Sequence, residues 1–210
     1  MVYLIGGSPR CGKTILSKRV SRNLGISFIS TDAIRPMILK TVPASAIKRK
    51  FPQEKMDTPE GMFRLDLYSP EAMLKAQLIE AKTMWLPIKA FIANLINSDQ
   101  NYIIEGIHIF PRFIKGLKKN KKYWKKIKVV YLIKKDLKKI KAGFPKNKNE
   151  FDWMFPSIKH APHRIEKAAD MVRVKSELIE KEAKKYNLKV FNTEGNFNSQ
   201  LKAAYKYLIS

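Results

Sequence analysis

The chain has 210 residues, enough for one domain with a sizeable core, and its 45% hydrophobic content is that of a globular protein. Its formal net charge of +24 attracts polyanions (nucleic acid, an anionic membrane surface or phosphorylated metabolites), although lysine spread over solvated positions gives the same total. A single cysteine, Cys11, excludes an internal disulfide and a cysteine zinc cluster, and the most apolar stretch, 72–97, is interrupted by Lys75, Glu80, Lys82 and Lys89, so no membrane span is expected.

Residues 2–5 are an apolar run that predicts a strand, which the chain enters at once. No signal peptide is therefore expected, and a cytoplasmic protein is the simplest expectation. The next stretch, Gly7-Ser8-Pro9-Arg10-Cys11-Gly12-Lys13-Thr14, fits the phosphate-loop pattern G-x-x-x-x-G-K-[ST]. Ile15, Leu16, Val20 and Leu24 continue at helical spacing, and Gly25 suits the helix end. Strand, glycine loop and helix form the setting this motif requires. The phosphate rests on a helix N-terminus, where N–H groups lack intrahelical partners and the macrodipole favours negative charge. Gly7 and Gly12 let the loop curl, and the whole stretch through Ile15 is the candidate nucleotide cradle. Lys13 is expected to reach the β- and γ-phosphates, and Thr14 to place its hydroxyl on Mg²⁺.

Residues 26–30 predict a second short strand. Pro36 is tolerated only near a helix start, so a helix beginning near Asp32 is expected, with Thr31 or Asp32 as its cap. In open α/β sheets ligands bind beyond the carboxyl ends of the strands. Asp32 is there a candidate to take the proton of an attacking hydroxyl or to hold a metal-bound water. Arg35, one turn on, is a candidate for an acceptor anion. Residues 41–68, broken by Pro43, Pro52 and Pro59, have the character of an insertion covering the acceptor site.

From Ser69 and Pro70, an N-cap and N1 pair, Leu74, Leu78, Ala81, Trp85, Ile88, Ile92 and Ile96 recur at steps of three and four, predicting a long core-facing helix kinked at Pro87. Residues 102–104 predict a buried parallel strand ending at Glu105, a second acid for the Mg²⁺ shell or the acceptor hydroxyl. His108 is a candidate substrate contact. Residues 112–141 hold a long lysine run around a strand at 127–133, where Tyr123 and Trp124 are candidates to stack on bases. Residues 143–160 lack periodicity, and a mobile lid is expected over about 143–164. A helix with Pro162 in its first turn carries Arg164 and Arg173, whose planar forks suit phosphate oxygens. Nine residues apart, they lie on opposite sides of a straight helix, so which of them meets the nucleotide stays open. A strand at 188–191 and an amphipathic helix from Phe197 close the chain.

The run G-G-S-P-R-C-G-K-T, followed by I-S-T-D-A-I-R, resembles the P-loop small-molecule kinases of the nucleoside-monophosphate-kinase-like group, in particular 2-phosphoglycerate kinases and their relatives. The segment I-I-E-G-I-H-I-F-P at 103–111 resembles their third-strand motif, and 172–192 their last helix leading into the final strand. Chloramphenicol phosphotransferases, zeta toxins and polynucleotide kinases share the loop-plus-aspartate layout. The resemblance implies ATP, Mg²⁺ and transfer of the γ-phosphoryl group to an acceptor hydroxyl. It carries nucleotide binding onto Gly12, Lys13 and Thr14, the acceptor-side acid onto Asp32, and lid-side arginines onto Arg164 and Arg173.

Alternating strands and helices predict an α/β fold: a three-layer P-loop sandwich with a five-stranded parallel sheet covered on both faces, a single domain over 1–210. The expected acceptor is a small, anionic molecule. The alternatives are a polynucleotide 5′-hydroxyl or nucleoside or nucleotide kinase, and a basic P-loop NTPase serving as an RNA-associated switch or assembly factor.

Overall fold

A computed structural model describes residues 1–56, 58–60, 62–144, 158 and 162–210. The expected lid falls almost wholly outside the described residues. Strands β1 (Val2–Gly7), β2 (Phe28–Ser30), β3 (Tyr102–Gly106), β4 (Ile127–Ile133) and β5 (Lys189–Asn192) form a five-stranded sheet in the order β2-β3-β1-β4-β5. Every pairing is parallel. β1 is central and buried throughout, which is why its sequence is an unbroken apolar run rather than an alternation.

Successive residues of β1 feed opposite faces. Val2 and Leu4 join one core cluster with Ile104, Tyr131 and Ile133, while Tyr3 and Ile5 join the other with Ile103, Val130 and Leu132. Helix α5 (Pro70–Asn97) supplies Ala81, Met84, Ile88 and Ile92 to the first cluster. Helices α1 (Lys13–Leu24) and α10 (Phe197–Ile209) supply Leu16, Val20, Leu201 and Ala204 to the second. Helix α9 (Pro162–Lys185) gives Ala168 and Val172 to one and Ile179 and Ala183 to the other.

The local signals mostly act where the sequence places them. Gly25 ends α1 in the left-handed region, and Ser69 caps α5 by accepting the Ala72 N–H at 3.2 Å. Helix α2 (Thr31–Thr41) differs: Ser30, not Thr31 or Asp32, is the cap, accepting the Asp32 N–H at 3.2 Å. That leaves the Asp32 side chain free of capping duty. β3 also runs two residues past the expected 102–104, because its pairing with β1 continues through Ile5–Glu105 and Gly6–Gly106. Glu105 therefore lies inside the strand. The 41–68 segment is largely helical, with α3 (Ala44–Lys50), a 3₁₀ turn (Pro52–Lys55) and α4 (Arg64–Leu67). The remaining short helices are α6 (Pro111–Lys118), α7 (Lys121–Trp124) and α8 (Leu137–Gly143). Among the described residues no helix is long and apolar enough to cross a membrane.

The sharpest local constraint is Gly7, where β1 turns into the glycine loop. Its φ is +144°, and a Cβ there would meet the Leu132 carbonyl oxygen of β4 at 2.2 Å. Backbone cannot step aside as a flexible side chain does. Gly7→Ala is expected to lower the unfolding free energy by about 2–4 kcal/mol in urea denaturation; a change near zero would show that the strand tip is not this tightly built.

Candidate functional site

The loop between β1 and α1 closes on itself. Lys13, 7% exposed, folds back so that Nζ donates to the Ser8 carbonyl at 2.8 Å. The buried hydroxyls of Ser8 and Ser176 pair at 2.8 Å, and the Lys134 N–H donates to Ser176 Oγ at 3.2 Å. Gly12 caps α1 in the left-handed region. Arg10, also at positive φ, sends Nη2 to the Phe144 carbonyl at 2.9 Å and stacks over that ring. Pro9 and Cys11 are buried, whereas Ile15 is exposed. Burial pushes the Cys11 thiol up to about 11.

The acidic side of the site comes from β2 and β3. Thr14 Oγ1 donates to Glu105 Oε1 at 3.1 Å. Glu105 is 3% exposed, and its Oε2 has no hydrogen-bond partner among the described residues. Burial raises its pKa, with the Lys13 charge and the Thr14 hydrogen bond pulling the other way. An orphaned carboxylate oxygen beside a threonine hydroxyl, at the mouth of a phosphate loop, suits a hard cation that takes oxygen ligands and keeps several waters. Among the described residues no His, Cys, Asp and Glu group forms an all-protein metal cage.

Asp32, in the first turn of α2, is exposed, and its Oδ1 lies 3.7 Å from His108 Nδ1. His108 is 1% exposed and sits 3.0 Å from Thr31 Oγ1 through the same nitrogen. Burial, then the charges of Lys175, Arg35 and Lys13, push its pKa down to about 3, so the imidazole is neutral at physiological pH. Gly7 to Thr14, Asp32, Glu105 and His108 are thus gathered at one edge of the sheet.

The candidate arginines are placed differently. Arg35 Nε donates to the fully buried Glu80 at 2.8 Å, and its Nη2 lies 2.9 Å from Glu54 Oε1. Glu80 also accepts the Gln53 N–H at 2.9 Å, so Arg35 ties α2 and the 3₁₀ turn to α5. Arg164 Nε donates to Asp66 at 2.7 Å, with its guanidinium over Phe63. Arg173 pairs along its own helix with Asp170 and Glu177, each at 2.8 Å. In the lysine run, Tyr123 donates its hydroxyl to Asn97 Oδ1 at 3.1 Å, and Trp124 carries Lys118 over its ring. Both aromatics pack against the core, which engages the rings considered above for base stacking.

Two residues absent from the sequence reading belong to the site. Lys175 is 1% exposed; Nζ donates to the Ile107 carbonyl at 2.6 Å and to Gln77 Oε1, above the Phe110 ring. Its neighbour Ser176 joins α9 to the glycine loop. The available signal was spacing: Lys175 stands in the apolar series of Val172 and Ile179, a position where a solvated lysine does not belong.

No family model matches the chain. Over 118 residues, 55% of the chain, it is 30% identical to the 2-phosphoglycerate kinase of Methanopyrus kandleri, and the match covers 35% of that protein. The chain thus spans about a third of the length of this curated relative. Shikimate kinase from Bacteroides thetaiotaomicron superposes with a TM-score of 0.52 at 13% identity, covering 100% of this chain and 99% of that one. A gluconokinase from Sinorhizobium meliloti gives 0.53 at 10% identity, covering 99% and 91%. The chain therefore has the fold of P-loop kinases of small molecules and is distantly similar in sequence to 2-phosphoglycerate kinases.

The buried loop interior has a chemical signature. With its pKa raised from 9.0 to about 11, Cys11 carries about a hundredfold less thiolate near neutral pH than an unperturbed thiol. Reaction with an aromatic disulfide reagent at mildly alkaline pH should be slower by at least about that factor in native protein than in urea; equal rates would place Cys11 at the surface.

Proposed function

We propose that this protein is a magnesium-dependent ATP phosphotransferase that moves the γ-phosphoryl group to a hydroxyl of a small anionic acceptor, of the 2-phosphoglycerate type. The observation that carries this reading is the convergence, at one sheet edge, of a P-loop lysine, a threonine hydroxyl bonded to a buried half-paired carboxylate, and an exposed aspartate in the first turn of the helix that follows β2. The distant 2-phosphoglycerate kinase likeness and the excess of positive charge support an anionic acceptor.

The roles follow from what each group can do. Loop N–H groups and the α1 N-terminus receive the phosphates, and Lys13 exchanges the Ser8 carbonyl for phosphate oxygens. Mg²⁺, held by the Thr14 hydroxyl and Glu105, would supply charge neutralisation on the nucleotide. Asp32 orients the acceptor hydroxyl and takes its proton as the acceptor oxygen bonds to the γ-phosphorus and the bond to the bridging oxygen breaks. Arg164 or Arg173 would meet the transferring group by exchanging carboxylate for phosphate oxygens, and Arg35 keeps the wall of the acceptor side in place.

The test is a transfer screen with γ-labelled ATP across 2-phosphoglycerate, other phosphorylated and sugar acids, nucleosides and short oligonucleotides. Label is expected on a small acid. Label on oligonucleotides alone would replace this reading by a polynucleotide kinase. On the acceptor so found, Lys13→Ala and Asp32→Asn should each lower kcat/KM by about a hundred- to ten-thousand-fold with the circular dichroism spectrum unchanged. Near-normal turnover by Asp32→Asn would remove Asp32 as the base.

A further inference from the structure

A dense block of positive charge lies at the other end of the sheet from the glycine loop. Residues 111–130 hold eight lysines and one arginine and no acid. They fold as α6 and α7 and lead into β4, while the C-terminal end of α9 leads into β5. Every strand pairing is parallel, so both junctions lie where the strands begin. The glycine loop leaves the far end of β1, about 20 Å away across six residues of strand.

Contacts join these segments into one face. Lys118 Nζ donates to the Tyr186 and Asn187 carbonyls, at 2.5 and 3.0 Å, and stands over the Trp124 ring. Lys115 and Lys185 approach the Tyr186 ring from α6 and α9. Lys115, Lys119, Lys122 and Lys185 are exposed. Carboxylates neutralise little of this charge. Among the described residues of the face, Arg112 pairs with Glu182 and Lys126 with Asp99, and no other cation pairs with an acid.

The chemistry of the face selects a partner. Its cations are almost all lysines, point charges that suit a phosphate backbone. Phe113, Ile114 and Leu117 of α6 join the core, and no large apolar side chain of 111–130 or 184–190 is exposed. A helix lying on a membrane needs an apolar side to sink into lipid, and a protein interface needs an apolar centre. These segments offer neither. Tyr123 and Trp124 pack against the core, and the Trp124 and Tyr186 rings already carry ammonium groups, so they form no stacking platform for unpaired bases. A duplex keeps its bases stacked and presents one negative charge per about 1.7 Å of axis, which asks only for spread positive charge.

We infer that the end of the sheet where β4 and β5 begin is a docking face for double-stranded nucleic acid, held through its phosphodiester backbone without sequence preference and apart from the nucleotide site. None of the residues assigned to phosphoryl transfer takes part, so this inference stands or falls independently of that function.

Fluorescence anisotropy with labelled RNA and DNA duplexes of about 20 base pairs tests it, the two arms showing which helix is preferred. Wild-type protein should bind at least one of them with a Kd of about 10 μM or tighter in ~0.1 M salt, weakening steeply as salt rises. The variant Lys115→Gln/Lys119→Gln/Lys122→Gln/Lys185→Gln should bind about 100-fold more weakly and flatten the logarithmic salt slope by about 3, with its circular dichroism spectrum unchanged. Lys118 is kept because it bonds backbone. Replacing four exposed lysines elsewhere, Lys18, Lys40, Lys75 and Lys82, by Gln gives the same net charge and should cost no more than about threefold. Should the first variant fold poorly, the pairs Lys115→Gln/Lys119→Gln and Lys122→Gln/Lys185→Gln decide, each losing about tenfold. Equal losses in the face and control variants would mean diffuse charge without a site and would overturn the inference. Wild-type binding weaker than the stated Kd would overturn it too, as would preference for single strands over both duplexes, or capture of anionic phospholipid vesicles and neither duplex.

Discussion

The site depends on a carboxylate buried where the central strands end. Glu105 is bonded to Thr14 across 91 residues of chain. Taking a charge out of water costs several kcal/mol unless partners compensate. Here the compensation comes from the Lys13 ammonium and the Thr14 hydroxyl, both at the start of α1. Strand register makes this work. Ile5 opposes Glu105 and Gly6 opposes Gly106, so the glycine loop leaves β1 just where the Glu105 side chain turns inward. A slip of one residue would turn that side chain to the opposite face.

Helix α9 secures the arrangement from the other side. Adjacent residues reach different parts of the site: Lys175 holds the loop after β3, and Ser176 holds the glycine loop and the end of β4. A lysine without a carboxylate partner is a costly core residue. It is tolerated because a backbone carbonyl, the Gln77 amide oxygen and the Phe110 ring surround its head. The first turn of this same helix carries Arg164, paired with Asp66 of the insertion. One rigid element thus runs from the insertion to the floor of the site.

The fold was legible because its signals are local. Apolar runs fixed the strands of a two-faced parallel sheet, and Gly25, Ser69 and Pro70 punctuated the helices. The glycine loop was legible for the same reason, since its chemistry is confined to eight consecutive residues. What the sequence hid was pairing over distance. Glu80, seen as a charge interrupting an apolar stretch, is fully buried because Arg35 and the Gln53 N–H reach it from α2 and the insertion. The scarcity of arginine singled out Arg164 and Arg173, but the carboxylates that hold Arg35 and Arg164, namely Glu54, Glu80 and Asp66, are distant in sequence and lie outside any periodicity. Strand order, too, lies outside any local pattern. It sets β3 between β1 and β2, and so brings Asp32, His108 and Glu105 together.

A glycine loop and a Thr14–Glu105 pair that form one seat for a nucleotide with its metal should bind the two together. Calorimetric titration of ATP into the purified chain tests it most directly, run once with Mg²⁺ and once with a chelator. Saturable one-site binding that weakens sharply when the metal is removed is the expected result. No binding heat from ATP or any other nucleoside triphosphate, with Mg²⁺ present, would contradict it.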